Sequence, residues 1–374
     1  MRIAIIHSFY SSSQPSGENR VVEDQINALG NAGHDVMVVR RDTPEIPGKI
    51  FALQSGINVS LGSGFDPTTD LRAFKPDVVH IHNLFPNFST KWLHNWSGPI
   101  IVTLHNYRFA CANGIFYRSG RICTECPESG SLKSVVHGCY HDSRLATIPL
   151  AVSQSQRRHE VLDQASAIVT TSEFSDEIVT RYLRPSVPTH IVPNFVDSDS
   201  SFDLQSPLER RWLALGRFSA EKGFVELIKD WPNSEELILV GDGEFQAEIT
   251  DSAQGKLIEI RSSIPREELR RLLSESYGLI FPSRWFESDP QVVAESMRVG
   301  LPVVAYHANS AAHLVNLSGA GVTYEDSASL QEALSSVIEG RAQMAKIARE
   351  EYLRRWTKQS WLTKIEQLYH SLLV

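Results

Sequence analysis

Long apolar runs are missing from this sequence. A membrane-spanning helix needs about 20 consecutive apolar residues, and no segment reaches that length. Residues 1–7 form a short apolar stretch, but they lack the extended apolar region and the small-residue cleavage site of a secretory signal. These absences predict a protein that stays in the cytoplasm.

Positive charge is also scarce. The 374 residues include 36 Lys and Arg against 44 Asp and Glu, which gives a formal net charge of −8 at pH 7. This balance argues against a nucleic-acid partner, and a bound anion would need a local group of cations. The hydrophobic share of 42% is ordinary for a globular protein, and the length suits two domains rather than one core.

Short β-branched runs recur along the chain, and a helix-like stretch follows each of them. The first half predicts strands at 2–8, 35–40, 77–82, 99–105, 167–171 and 189–193, and the second half at 211–216, 236–241, 257–260, 278–282, 302–306 and 321–324. Several are nearly continuous apolar runs, which is typical of strands buried on both faces. Their alternation with helices predicts an α/β protein with parallel sheets.

The strand pattern runs through one sheet and then restarts after a polar, Ser- and Asp-rich stretch at 197–201, which we interpret as a linker. We therefore predict one Rossmann-like domain at 1–193, with a loop-rich cysteine insertion at 109–145, and a second at 194–355. The tail at 356–374 carries aromatic and aliphatic residues at helical spacing. It forms either a helix that packs back on the first domain or a simple terminal helix.

Two carboxylates flank a predicted helix start. Glu287 precedes the helix, Pro290 suits its first turn, Glu295 lies inside it and Gly300 ends it. Free N–H groups and the positive end of the dipole make such a start an anion site at the carboxyl edge of a parallel sheet. Carboxylates beside it can accept hydrogen bonds from sugar and ribose hydroxyls. Solvated surface charge is the alternative interpretation.

Two cations follow the first predicted strand of the second half. A turn separates Arg217 from Lys222 and can aim both at one anionic leaving group. Ordinary surface cations are the alternative, but the position directly after a buried strand favours function. A metal route would need an Asp-x-Asp at a strand end. Asp197 and Asp199 have that spacing, but they lie in the predicted linker, so we interpret them as solvated loop.

Five segments together resemble the retaining glycosyltransferases of family 4, which have the GT-B fold. In chain order, 16–20 resembles the glycine loop, 104–108 the His-bearing strand end, 216–223 the Gly-Arg-x3-Glu-Lys-Gly motif, 240–243 the Gly-x-Gly turn and 287–295 the Glu-x7-Glu pair. The resemblance spans the chain and implies two Rossmann-like domains that face each other across a cleft. Ser16 departs from the family, which commonly has a second glycine there.

The resemblance implies roles for the charged residues of the second half. Arg217 and Lys222 would neutralise the diphosphate of a nucleotide-sugar donor. Glu287 would hold the transferred sugar, and Glu295 would hold the ribose.

The resemblance also places uncharged groups at the donor. The amides near the helix start, at Asp289, Pro290, Gln291 and Val292, would lie at the phosphate and the sugar. Gly17 would let the first-domain loop approach the phosphates. His105 would lie beside the transferred sugar, whereas a satisfied polar residue at a strand end is the alternative interpretation. His80 and His82 alternate on a strand and could face a cleft or solvent, and we assign them no role.

The activity that the resemblance implies is retaining, nucleotide-sugar-dependent hexosyl transfer. The acceptor would be a saccharide or a lipid-linked saccharide bound on the first domain, in cell-surface polysaccharide synthesis, with peripheral contact at the inner face of a membrane as an option. Front-face attack would need neither a metal nor an organic cofactor. The alternatives are another GT-B enzyme, such as a sugar-nucleotide epimerase or a phosphorylase, and a catalytically silent nucleotide-sugar-binding subunit.

All four cysteines fall within one loop-rich stretch. Cys111, Cys123, Cys126 and Cys139 follow the pattern Cys-x11-Cys-x2-Cys-x12-Cys. Two thiolates two residues apart can reach one ion, and a reducing compartment disfavours disulfides. We predict one structural zinc. Four unrelated buried thiols, or a redox pair at Cys123 and Cys126, are the alternatives.

Overall fold

The computed structural model describes residues 1–11, 17–45, 48–157, 160–196 and 210–373, except for the side chains of 156 and 157. These residues form two compact units. The first unit comprises Met1–Phe116, Cys123–Asn194 and Trp361–Val374, and the second comprises Tyr117–Ile122 and Phe195–Ser360. The predicted linker at 197–201 and Ser16 lie outside the described residues. In the parts of the chain that are described, no helix is both long and apolar enough to span a membrane.

The chain up to residue 194 alternates strands with helices. Its elements are β1 (Arg2–Phe9), α1 (Gly17–Asn31), β2 (Asp35–Asp42), α2 (Lys49–Leu61), α3 (Thr68–Phe74), β3 (Val78–Asn83), β4 (Ile100–Thr103), β5 (Tyr117–Arg118), β6 (Arg121–Ile122), α4 (Glu125–Ser129), α5 (Leu132–His137), α6 (Arg144–Arg157), α7 (Glu160–Asp163), β7 (Ala167–Thr170), α8 (Glu173–Tyr182) and β8 (Thr189–Ile191). Six strands form one sheet in the order β2-β1-β3-β4-β7-β8, and every pairing in it is parallel.

The remainder of the chain again alternates strands with helices. Its elements are β9 (Arg211–Leu215), α9 (Phe224–Asp230), β10 (Glu236–Val240), α10 (Gln246–Ser252), β11 (Ile258–Arg261), α11 (Arg266–Glu275), β12 (Leu279–Phe281), α12 (Gln291–Arg298), β13 (Val303–Tyr306), α13 (Ser310–Ser318), β14 (Gly321–Tyr324), α14 (Ser327–Arg355) and α15 (Lys358–Ser371). The sheet order is β11-β10-β9-β12-β13-β14, again all parallel. Numbered along each half, the strand order is 2-1-3-4-5-6 in the first sheet and 3-2-1-4-5-6 in the second. Both are doubly wound orders of Rossmann-like domains, and they differ in the placement of the first three strands.

The apolar strands are buried on both faces, as their sequences predict. In β10, Leu237 and Leu239 pack in one hydrophobic cluster, whereas Ile238 and Val240 pack in another. Successive side chains of a strand point to opposite faces, so the sheet separates two cores. All twelve predicted strands are confirmed within two residues at each end.

The predicted pattern misses one hairpin. Strands β5 and β6 are two residues long each and pair antiparallel, which is too short for any hydrophobic period to show. Ser119 and Gly120 connect them with φ of 51° and 79°, as a tight hairpin turn of the mirror-image type requires. This hairpin belongs to the second unit, although its neighbours in sequence belong to the first.

The helical tail divides between the two units. Helix α14 and residues up to Ser360 group with the second unit, and the segment from Trp361 groups with the first. Trp361, Ile365 and Tyr369 are buried at helical spacing on α15. The Tyr369 hydroxyl lies 2.7 Å from His80 Nδ1, so α15 contacts a strand of the first sheet.

Candidate functional site

The second unit gathers the predicted donor residues at the carboxyl edge of its sheet. Arg217 follows β9, Glu287 follows β12 and Glu295 lies on α12. Two glycines permit the close approach of these loops. A Cβ at Gly241 would lie 2.0 Å from Gly216 O, and a Cβ at Gly223, whose φ is 69°, would lie 2.3 Å from Pro282 O. Any larger residue would push the loops apart.

Arg217 is held by its own turn. Its Nη2 donates to Glu221 Oε1 over 2.9 Å, and Ser219 Oγ donates to the same oxygen over 2.6 Å. Burial by itself would raise the pKa of Glu221, but the hydrogen bond from Ser219 and the charge of Arg217 outweigh it, so the pKa is lowered. The guanidinium is therefore aligned by a buried carboxylate while most of its own side chain stays exposed, ready to meet an anion.

Lys222 and Glu287 form the central contact of this site. Lys222 Nζ donates to Glu287 Oε1 over 2.7 Å, and both side chains are mostly buried. Ser283 Oγ donates to Glu287 Oε2 over 2.8 Å, so both carboxylate oxygens have a partner. The Lys222 ammonium also lies 5.6 Å from the centre of the Trp285 ring. Hydrogen bonds to a charged group in a partly desolvated place are the strong ones, so this pair fixes the geometry of the loop after β12.

The start of α12 completes the predicted donor residues. Pro290 is the N-cap residue, one position earlier than the first helical turn that its sequence context predicts. Gln291 Nε2 lies 3.4 Å from Asp289 Oδ2, and Val292 packs against the hydrophobic core. Glu295 lies one turn further along and accepts from Arg266 Nη2 at 3.5 Å. The helix start therefore follows directly on the loop that carries Glu287.

The first unit places the other predicted residues at the carboxyl edge of its own sheet. Gly17 is the exposed first residue of α1. The next residue, Glu18, accepts from Asn106 Nδ2 over 3.2 Å, and burial raises the pKa of Glu18 to about 7 although the charge of Arg108 opposes this. A carboxyl group that titrates near neutrality next to the His105 loop was not anticipated from the sequence.

His105 is buried in a cluster of histidines. His82 Nδ1 and His105 Nε2 lie 2.9 Å apart, and the two rings stack with their centroids 5.2 Å apart. His80 stacks on His82 at 4.3 Å, and its two ring nitrogens each lie 2.7 Å from a hydroxyl, that of Tyr369 and that of Thr103. His82 is thus a contact of His105 in the interior. Both His80 and His82 are buried, so neither faces solvent, and the expectation that they have no role stays a prediction.

The histidines are neutral at physiological pH. Burial lowers the pKa of His80 to about 3, and burial together with the charges of His7 and His80 lowers the pKa of His105 to about 3. Burial followed by the charges of three histidines takes the pKa of His82 well below its usual value. His105 therefore offers a hydrogen bond, not a positive charge. Alternation on one strand, His80 and His82, was the sequence signal that could have suggested a shared face.

The four cysteines lie in the insertion after His105, and no disulfide joins them. The thiol of Cys111 is buried and donates to Asn113 Oδ1 over 2.8 Å. Burial and then the charges of Cys111, Cys139 and Cys123 raise the pKa of Cys126 to about 12, so the other three sulfurs lie within electrostatic range of Cys126. Across the described residues, however, no group of three or more His, Cys, Asp or Glu is arranged to hold a metal ion. Structural zinc therefore stays a prediction.

Family comparison matches both halves of the chain. The model described as Glycosyltransferase Family 4 matches residues 15–200, and the model described as Glycosyl transferases group 1 matches residues 201–354. A search among curated proteins finds no match.

Solved structures share the fold over the full length. Sucrose-phosphate synthase from Thermosynechococcus elongatus is 16% identical, with a TM-score of 0.71 over 99% of this chain and 98% of that one. HepE of Anabaena in complex with UDP-glucose is 16% identical, with a TM-score of 0.60 over 99% of this chain and 100% of that one. WaaG, a glycosyltransferase involved in lipopolysaccharide biosynthesis, is 14% identical, with a TM-score of 0.64 over 99% of each chain.

These likenesses establish the two-domain GT-B fold that the two parallel six-stranded sheets display. The two family matches follow one another along the chain and together span residues 15–354. The chain belongs to the family 4 glycosyltransferases.

Proposed function

We propose that this glycosyltransferase moves a hexosyl group, with retention of configuration, from a nucleotide-sugar donor to a saccharide or lipid-linked saccharide in cell-surface polysaccharide synthesis. The 2.7 Å contact between Lys222 and Glu287 carries the proposal. It holds a cation for a diphosphate and a carboxylate for a sugar hydroxyl side by side, directly before the start of α12. The complex of the similar HepE with UDP-glucose supports a donor of this class.

Departure of the nucleoside diphosphate requires stabilisation of its developing negative charge. Arg217, aligned by Glu221, and Lys222 supply two cations, and the N-terminus of α12 supplies backbone amides and the positive end of its dipole. These groups are fixed before the reaction, so they need no reorganisation as charge develops. We therefore propose that transfer uses no metal ion. Asp197 and Asp199, whose spacing would suit a metal, lie outside the described residues.

The carboxylates divide the recognition of the donor. Glu287 accepts hydrogen bonds from hydroxyls of the transferred sugar, with Lys222 and Ser283 holding it in place. Glu295 accepts from the ribose hydroxyls, and Arg266 is its partner in the protein. His105, neutral and buried, donates to or accepts from a sugar hydroxyl without adding charge.

A donor panel tests the proposal most directly. The purified full-length protein is offered UDP-, GDP- and dTDP-sugars, and released nucleotide is measured with and without a saccharide acceptor. We expect release from one nucleotide class, strongly reduced in Lys222→Ala and unchanged in Lys229→Ala, which removes an exposed lysine of α9. Folded protein that releases nucleotide from no donor, or a Lys222→Ala variant with the wild-type rate, contradicts the proposal.

A further inference from the structure

The first unit contains a largely apolar pocket of which the proposed donor contacts use only His105. Its empty volume is about 910 Å³, a figure that includes open solvent at its mouth. Its walls come from the end of α2, from β3 and β4 with the loops that follow them, and from α6. The apolar lining residues are Val59, Ile81, Leu84, Phe85, Pro86, Phe88, Val102, Leu104, Phe109, Leu150 and Val161.

Five polar lining residues come from the carboxyl ends of β3 and β4, which we call the polar end of the pocket: His82, Asn83, His105, Asn106 and Arg108. The other polar lining residues are Asn58, Thr90, Thr103, Ser153 and Gln154. Arg108 is the one formally charged residue among the described residues that line the pocket, and its Nε has no hydrogen-bond partner in the described part of the chain. His82 Nε2 is likewise buried without one. The polar end is therefore made by the loop of the predicted catalytic histidine.

The lining suits a hydrocarbon chain better than a sugar. A saccharide carries hydroxyls along its whole length, and a hydroxyl buried against Val59, Leu84 or Leu150 would lose its hydrogen bonds to water without replacement. A hydrocarbon chain gains free energy there, at about 0.8 kcal/mol for each buried CH₂ group. An anionic group at the head of such a chain would meet the guanidinium of Arg108.

The outside of the same wall is apolar as well. Helix α2 has no buried residue, and Ile50, Leu53, Ile57 and Leu61 are exposed to 84%, 69%, 48% and 52% at spacings that share one helix face. A Cβ added to Gly56 would lie 3.3 Å from Pro149 Cγ, so α2 rests on α6. An unpaired apolar helix face of this kind marks a place where apolar material is bound.

We propose that this pocket binds the hydrocarbon chain of a lipid-linked acceptor, with the phosphate that links chain and saccharide at Arg108. The inference rests on the proposed function, because it chooses the lipid-linked acceptor over the free saccharide. It places the saccharide end of the acceptor at the His105 loop, since the polar end of the pocket lies there. The chain thereby anchors the acceptor through a part of the molecule that does not react.

Farnesyl monophosphate is the probe, titrated into the full-length protein by calorimetry, with farnesol and inorganic phosphate as the two partial probes. We expect farnesyl monophosphate to bind more tightly than farnesol, and inorganic phosphate to bind far more weakly than either. Farnesyl monophosphate that does not bind the wild-type protein overturns the proposal. Inorganic phosphate that binds as tightly as the full probe also overturns it, because the hydrocarbon would then contribute nothing.

Filling variants locate the probe. Val59→Trp and Ser153→Phe each add bulk at a half-buried lining position, and Leu317→Trp adds it at an exposed position of the second unit. We expect each filling variant to weaken binding at least about tenfold, the loss that corresponds to keeping two CH₂ groups in water, and the control to match wild type. If one filling variant does not fold by circular dichroism, the other decides. Wild-type affinity in the folded filling variants overturns the proposal.

Two further variants distinguish the pocket from the outer face of α2 and locate the phosphate. The double variant Leu53→Ser with Ile57→Ser makes the outer face of α2 polar. If this double variant loses binding of farnesyl monophosphate and Val59→Trp keeps it, the probe adsorbs to the surface of α2 and the pocket proposal is overturned. Arg108→Gln should bring the affinities for farnesyl monophosphate and farnesol together, and an undiminished difference overturns the assignment of the phosphate.

Nucleotide release by the wild-type protein tests the proposed function separately. Release without any binding of the probe overturns the pocket alone. If the protein binds the probe, Val59→Trp abolishes that binding and no nucleotide is released, the proposed function is overturned and the pocket remains a hydrocarbon-binding site.

Discussion

The two sheets end in loops of opposite electrostatic character. At the edge of the second sheet, Arg217 and Lys222 pair with Glu221 and Glu287 over 2.9 and 2.7 Å, so the polar groups there carry charge. At the edge of the first sheet, His80, His82 and His105 are buried, stacked and neutral. Two parallel six-stranded sheets thus carry ion pairs at the edge of one unit and a cluster of neutral histidines, beside Glu18 and Arg108, at the edge of the other.

The difference follows from what each edge can hold. A diphosphate needs cations, and cations survive partial burial only when carboxylates pair with them. A sugar hydroxyl needs hydrogen-bonding groups, which can be neutral, and an apolar chain needs walls that exclude water. Burial keeps an imidazole neutral. In our proposal, the second unit therefore meets the diphosphate with paired charges, and the first unit meets the sugar with neutral histidines.

Removal of a cation at the second edge should have the largest effect. Lys222→Ala leaves Glu287 with one partner fewer and removes a diphosphate contact, so we expect donor turnover to fall by roughly 10²- to 10³-fold, or about 2.7–4 kcal/mol. Arg217→Ala should act in the same direction. Nucleotide release measures both, and circular dichroism checks folding. Equal rates in wild type and both variants would contradict a role for the charges of Arg217 and Lys222 in binding the diphosphate.

Neutralising the carboxylates should separate sugar from nucleotide. Glu287→Gln is expected to lower transfer by roughly 10- to 100-fold with little change in nucleotide affinity, because Glu287 contacts the sugar in our proposal. Glu295→Gln should weaken nucleotide binding about tenfold, because it contacts the ribose. Calorimetry with the free nucleotide and rate measurements distinguish the two. Identical profiles for the two variants would show that the carboxylates do not divide the donor.

Changing the partner of His105 should have a moderate effect at the first edge. His82→Phe keeps an aromatic ring in the stack but removes the 2.9 Å contact to His105. Loss of one neutral hydrogen bond predicts a rate about tenfold lower with unchanged nucleotide affinity. His82→Gln retains a hydrogen-bonding group and should recover part of the rate. A full rate in His82→Phe would mean that His82 does not position His105.

Acid should lower the free energy of unfolding because of the buried histidines of the first unit. The pKa of His7 falls to about 4 and those of His80 and His105 to about 3 on folding, mainly through burial. The pKa of histidine in the unfolded chain is about 6.5. Below that pH the unfolded chain binds protons that the folded chain does not bind, so the free energy of unfolding decreases as pH falls from about 6.5 towards 4.

Each such histidine contributes up to roughly 1.4 kcal/mol per pH unit in that window. Denaturant titrations at pH 7.5, 6 and 5 measure the slope, and His7→Gln should make it shallower. A stability that stays flat over this window, with wild type and variant alike, would contradict neutral burial of the histidines.

Chelation should have the smallest effect. Because Arg217 and Lys222 stand in place of a metal ion in our proposal, EDTA should leave the rate of transfer within about twofold. A rate that EDTA abolishes and manganese restores would return Asp197 and Asp199 to consideration. EDTA could also remove structural zinc, so metal analysis is the control: near-stoichiometric zinc that falls in Cys123→Ser with Cys126→Ser supports the zinc site, and its absence from folded, active protein defeats it.

Much of this architecture was predictable because buried parallel strands leave a strong local signal. Runs such as 237–240 are apolar at every position, and the structure buries both of their faces. The hairpin at β5 and β6 left no such signal, because two residues cannot display a period. The histidine contacts also escaped prediction, because His82 lies on β3 and His105 follows β4, so the two meet only when those strands pair side by side.

The sequence by itself determined the twelve strands of the two six-stranded sheets, the order of the two α/β halves and the residue types at each sheet edge. These depend on hydrophobic period and turn chemistry, which act over a few neighbouring residues. Only the tertiary structure decided which side chains meet. Lys222 reaches Glu287 across 65 positions of sequence, and Tyr369 reaches His80 across 289, because sheet order and helix packing bring distant segments to one place. Burial then set the charge of the histidines, and burial is a property of the packed interior rather than of any local pattern.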